Sequence, residues 1–146
     1  MKTDVLNFFE RKNDEKIYEL ISEWIISSLS DSNKRQLIGE ELLKLPIKEE
    51  YKKVPNNILY RVGNSNKKFV SYTYDYKGIK KMIKWYKIIF NKNVEDEDII
   101  TENVDNLNIL ICIPTFLKLT RFSSGKKFDA IWKSEYEVIS INKFYY

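Results

Sequence analysis

Between Pro46 and Pro55 the spacing of apolar residues turns from helical to strand-like, and that change bounds the fold. Before it, Ile17, Leu20, Ile21, Trp24, Ile25 and Leu29 recur at three- and four-residue steps, which line up on one side of a helix. Thr3 or Asp4 can cap a short turn ending near Phe9, and Asn13 or Asp14 can cap the longer helix. Ser30, Asp31, Ser32 and Asn33 break that helix and offer a fresh cap for another through Leu37, Leu42 and Leu43, which stops before Pro46. A charged linker follows at 48–53.

Beyond Pro55 the pattern is that of strands. Ile58-Leu59-Tyr60-Arg61-Val62 is β-prone and ends at Gly63-Asn64-Ser65-Asn66, which is turn chemistry. In the next strand, 68–74, Ser71 and Thr73 stand two apart and share a face, with Val70, Tyr72 and Tyr74 on the other. Asp75 caps a helix over 76–90, with Ile79, Met82, Ile83, Tyr86 and Phe90 as its buried stripe. Lys77, Lys80, Lys81, Lys84 and Lys87 lie away from that stripe.

The acidic stretch 91–106, centred on Glu95-Asp96-Glu97-Asp98, reads as a surface loop. The nearly all-apolar run 107–113 reads as a central strand buried on both faces and ended by Pro114. Ser123-Ser124-Gly125-Lys126 marks a turn, and Phe128 and Trp132 follow in a segment without an apolar face. The last strand starts at Tyr136 and runs through Val138, Ile139 and Ile141; Glu135 and Glu137, two apart, are expected on one of its faces. The whole predicts a single α+β domain: a helical N-terminal segment over 1–50 and a mixed core over 55–146.

Composition narrows the chemistry. The 146 residues include no histidine, so neither a histidine-based nucleophile nor an imidazole metal site can form. The one cysteine, Cys112, lies in the apolar run, where a buried structural thiol is expected. Acid–base work falls to carboxylates, lysine or tyrosine. A net charge of +4 admits a nucleic-acid partner, but the chain's excess of Lys, Asn, Ile and Tyr is also what an A- and T-rich coding sequence yields. No run is apolar enough for a membrane span and the polar start lacks a secretory pattern, so a cytoplasmic protein is expected, in its own cell or one it is delivered into.

Taken in order, Leu59-Tyr60-Arg61, then Phe69-Val70-Ser71-Tyr72-Thr73, then Leu110-Ile111-Cys112-Ile113-Pro114, then Glu135-Tyr136-Glu137-Val138 resemble the arginine-serine-glutamate branch of the mono-ADP-ribosyltransferases. That branch includes bacterial toxins and phage enzymes. The resemblance covers roughly the last ninety residues and implies a split β-sheet core with NAD, the substrate, in its cleft.

It assigns Glu137 to the ribose and to the oxocarbenium-like centre formed as nicotinamide leaves, a role like that of a carboxylate in glycoside cleavage. Glu135 would orient or deprotonate the nucleophile and steer a guanidinium. Arg61 would hold the pyrophosphate. Ser71 would hydrogen-bond Glu137, Thr73 would support it, and Trp132 would touch the acceptor.

The implied reaction is ADP-ribose transfer to a macromolecule, with a host-protein arginine as the expected acceptor and no metal required. Two alternatives stand beside it. One is a NAD glycohydrolase, with water as acceptor. The other is a non-enzymatic module that binds nucleic acid or protein through the lysines of 77–87.

Overall fold

The computed structural model describes residues 2–27, 32–122 and 136–145. These are α+β, and the chain divides into two compact units, Met1–Lys48 and Glu49–Tyr146.

The first unit is a helix pair, α1 (Lys2–Ile26) and α2 (Ser32–Leu43). Helix α1 runs without the break expected before Asn13. Arg11 and Lys12 both ion-pair with Glu15, one turn on, and Asn13 Nδ2 donates to the Pro46 carbonyl at 2.9 Å, so the polar stretch supports the helix instead of capping a new one. Ile17, Ile21 and Trp24 of α1 and Ile38 and Leu42 of α2 are buried, whereas Leu37 and Leu43 are exposed. The Arg35 guanidinium lies 4.9 Å from the Trp24 ring. Leu29, expected on the stripe, and Ser30 and Asp31, expected in the break, lie outside the described residues.

The second unit is built on a five-stranded antiparallel sheet. Its strands are β1 (Ile58–Val62), β2 (Phe69–Thr73), β3 (Ile99–Asn103), β4 (Asn108–Cys112) and β5 (Glu137–Ile141), in the order β3-β1-β2-β5-β4. Helix α3 (Tyr76–Phe90) follows β2, and α4 (Ile113–Thr120) follows β4. Asp75 caps α3 as expected, its Oδ1 accepting from the Lys77 amide at 2.9 Å. Leu59, Val70, Tyr72, Cys112 and Val138 form a core cluster on one face of the sheet, and the Cys112 thiol is buried.

In the strands, the linker and the start of α4, the second unit departs from the sequence-based expectations. The acidic stretch contains β3: Ile99, Ile100 and Thr101 are β-branched and pair along all of β1, although carboxylates surround them. Among the described residues strand β4 is an edge strand paired with β5, and Leu110, Ile111 and Cys112 are nonetheless buried. Pro114 starts α4, where its missing N–H costs nothing. The stretch taken as a linker holds a 3₁₀ turn, Glu49–Lys52, whose buried Tyr51 meets the Phe116 ring edge-on at 5.0 Å; nearby, Thr115 Oγ1 donates to the Lys53 carbonyl at 2.7 Å. Among the described residues, no helix is long and apolar enough to cross a membrane.

Candidate functional site

Strand β2 brings the polar residues together, because both its edges carry one. On one side it pairs with β5 over its full length, with Thr73 opposite Glu137 and Ser71 opposite Ile139. Ser71 and Glu137 therefore project from the same face on adjacent strands. Ser71 Oγ donates to Glu137 Oε2 at 2.5 Å, a charge-assisted geometry. Glu137 is only 6% exposed, so this carboxylate is held in one orientation and largely out of water. Thr73 is buried opposite it, and its hydroxyl donates to the Asp75 carbonyl, serving the start of α3.

On its other side, β2 meets β1 at one register position, Tyr60 opposite Thr73, after which the strands part. Arg61 stands where they part. Strand alternation sends it to the face of Leu59 and Tyr72, opposite that of Ser71 Oγ and Glu137. Its guanidinium lies 5.9 Å from the Tyr72 ring centre, while Nε donates to the Gly63 carbonyl at 2.6 Å and Nη1 to the Ser71 carbonyl at 3.1 Å.

The three residues are thus joined through Ser71, by its carbonyl to Arg61 and its hydroxyl to Glu137, and do not line a single face. The bonds leave Nη2 of Arg61 without a protein acceptor among the described residues, and no described carboxylate pairs with it. Burial lowers the Arg61 pKa, partly offset by Tyr72 and Tyr86. A desolvated cation without a counter-charge is the chemistry that an incoming anion would relieve.

The turn between β1 and β2 is fixed at both ends. Gly63 adopts φ +74°, which its lack of a Cβ permits, and its amide donates to the Asp98 carbonyl at 2.7 Å. Asn142 Nδ2 donates to the carbonyls of Ser65 and Lys67, and the Tyr145 hydroxyl to that of Asn66.

At the entrance to β5 one expectation fails. Tyr136 is not extended but left-handed, with φ 51°, an unusual state for an aromatic residue. Alternation across an extended Tyr136, which was to put Glu135 on the face of Glu137, therefore does not apply. Glu135, Trp132, Phe128 and the expected turn at Ser123-Ser124-Gly125-Lys126 lie outside the described residues.

Two tyrosines that the sequence did not single out hold this entrance. The Tyr74 amide donates to the Tyr136 carbonyl at 3.1 Å, and the two rings meet edge-on at 5.3 Å. Burial, with Cys112, Tyr136 and Asp75 nearby, pushes the Tyr74 hydroxyl up to about 12. The only sequence signal for this clamp was an aromatic just outside each strand.

Cys112 is buried, its pKa raised by that burial, with its Sγ 3.2 Å from Thr115 Oγ1, a structural setting for a thiol. No group of acidic or cysteine side chains among the described residues could hold a metal ion. Comparison with protein-family models, with curated proteins and with solved structures found no match.

Proposed function

We propose that this chain is a NAD-dependent mono-ADP-ribosyltransferase with a split-sheet core of that kind, moving ADP-ribose from NAD to a macromolecular acceptor and releasing nicotinamide. The observation that carries the proposal is the position of Ser71 between Arg61 and Glu137, with its carbonyl on the guanidinium and its hydroxyl on the carboxylate. The three residue types that the resemblance implies come from three different strands and are linked through Ser71.

The chemistry follows from the groups. Breaking the nicotinamide–ribose bond leaves positive charge on the ribose, and nicotinamide departs neutral with the bonding electron pair. The Glu137 carboxylate, held by Ser71, faces that cation without needing to reorganise. Burial of Glu137 strengthens the effect, because little water screens it.

Arg61, through Nη2, is the group for the pyrophosphate. Arg61 projects from the sheet face opposite Glu137, so on this reading the dinucleotide reaches both faces beside Ser71. Glu135 remains the proposed orienting base for the acceptor, and a protein arginine is the acceptor that a second carboxylate suits.

Nicotinamide release from NAD, with acceptor-containing lysate present, tests the reading. The wild-type chain releases nicotinamide and labels a macromolecule. Glu137→Gln, which keeps the shape and the hydrogen bond but removes the charge, lowers release by a factor on the order of a thousand with its melting temperature little changed. An equally active Glu137→Gln protein, or a wild type that never binds NAD, defeats the proposal. Release without labelling would move the reading to a NAD glycohydrolase.

A further inference from the structure

Helix α3 buries Gly78 and Ile79 near its start, but its last two turns leave apolar side chains in water. Trp85 is 47% exposed, Ile88 73%, Ile89 43% and Phe90 46%, although the sequence placed Phe90 in the buried stripe. Around the helix, Ile88 falls within the sector that carries Lys77, Lys80, Lys81, Lys84 and Lys87, with Trp85 and Ile89 beside it, and the helix contains no acidic residue. Where α3 ends, an open groove is lined by apolar Ile83, Ile88 and Val94 and by Lys84, Lys87 and Lys92. None of those three lysines ion-pairs with a described carboxylate.

We infer that this end of α3 docks on the surface of a membrane rich in anionic phospholipid. Apolar side chains enter the headgroup layer and lysines meet the phosphates around them, so the helix lies on the bilayer and does not cross it. Two features select lipid over nucleic acid. Isoleucine gains from hydrocarbon but offers a base no flat ring to stack on, and Ile88 is the most exposed of the four. Every basic position of the helix is lysine, whose long stem lies along apolar surface while its ammonium reaches a mobile headgroup. Exposed Glu95, Asp96 and Glu97 follow the groove directly and oppose the attraction, which limits how flat the protein can lie.

Co-sedimentation of the full chain with vesicles tests this, using phosphatidylcholine alone and phosphatidylcholine with about one-third phosphatidylserine. The chain binds the anionic vesicles and not the neutral ones. Ile88→Ser and the triple change Lys84→Gln, Lys87→Gln, Lys92→Gln each weaken that binding about tenfold, with circular dichroism unchanged. Glu95→Gln with Glu97→Gln strengthens it.

Equal binding to both vesicles overturns the inference, as does binding that neither set of changes affects. So does a chain that ignores vesicles but holds a single-stranded oligonucleotide through the three lysines, or one that self-associates through Ile88. None of these readings depends on NAD.

Discussion

The two edges of β2 behave differently. Toward β5 it pairs from Phe69 opposite Ile141 to Thr73 opposite Glu137, and the apolar partners Val70, Tyr72, Val138 and Ile139 are buried. Toward β1 it pairs only where Tyr60 meets Thr73, and an arginine and a glycine turn occupy the rest. One edge is built to stay closed and the other to part. Ser71 belongs to both: its side chain is on the closed edge with Glu137 and its carbonyl faces the open edge with Arg61. The proposed cleavage of a dinucleotide calls for a fixed carboxylate, and the closed edge holds Glu137 as one.

If the closed edge carries stability and the open edge carries function, substitutions on the two should separate. The largest loss of stability is expected at Ile139, fully buried on β5 between β2 and β4. Ile139→Ala should cost about 3 kcal/mol in denaturant unfolding, because the cavity lies where two paired strands cannot close over it. A loss below about 1 kcal/mol would mean that the β2–β5 edge is not the structural one.

Ser71→Ala, at the junction, should do some of both. Removing the hydroxyl takes a charge-assisted partner from Glu137, worth about 1–2 kcal/mol in unfolding. It should also lower nicotinamide release about tenfold, as the carboxylate is then less firmly oriented. Stability loss without activity loss would make Ser71 an ordinary strand residue.

Arg61→Lys on the open edge should change stability least. It keeps the charge and loses the planar fork that bonds Gly63 and Ser71, so the KM for NAD should rise about tenfold with kcat nearly constant. A fall in kcat at constant KM would instead make Arg61 a positioning residue for Ser71.

Much of this arrangement can be read from the residues. The strands β1, β2 and β5 and the Asp75-capped α3 follow from β-branched runs, turn residues and one acidic cap. These signals are local, and neighbours in sequence settle them. What was missed depends on partners far along the chain. Strand β3 forms because β1 offers it a complete ladder, a fact that Glu95-Asp96-Glu97-Asp98 conceals. The edge position of β4 is a matter of strand order, on which its apolar composition is silent.

At the site, Ser71 and Glu137 could be linked only by comparing motif order with a known family, since 66 positions separate them. That Arg61 would turn to the other face follows from its one-residue offset from Tyr60, the partner of Thr73, but only once the register is known. The left-handed Tyr136 had no signal at all, because aromatic residues rarely adopt that state and nothing in its neighbours requires it.

The most direct measurement is a crystal structure of the chain soaked with NAD. The account predicts the nicotinamide-side ribose within hydrogen-bonding distance of the Glu137 carboxylate and the pyrophosphate on Nη2 of Arg61, with the dinucleotide reaching both faces of the sheet beside Ser71. NAD bound elsewhere, or a ribose that never approaches Glu137, would contradict it.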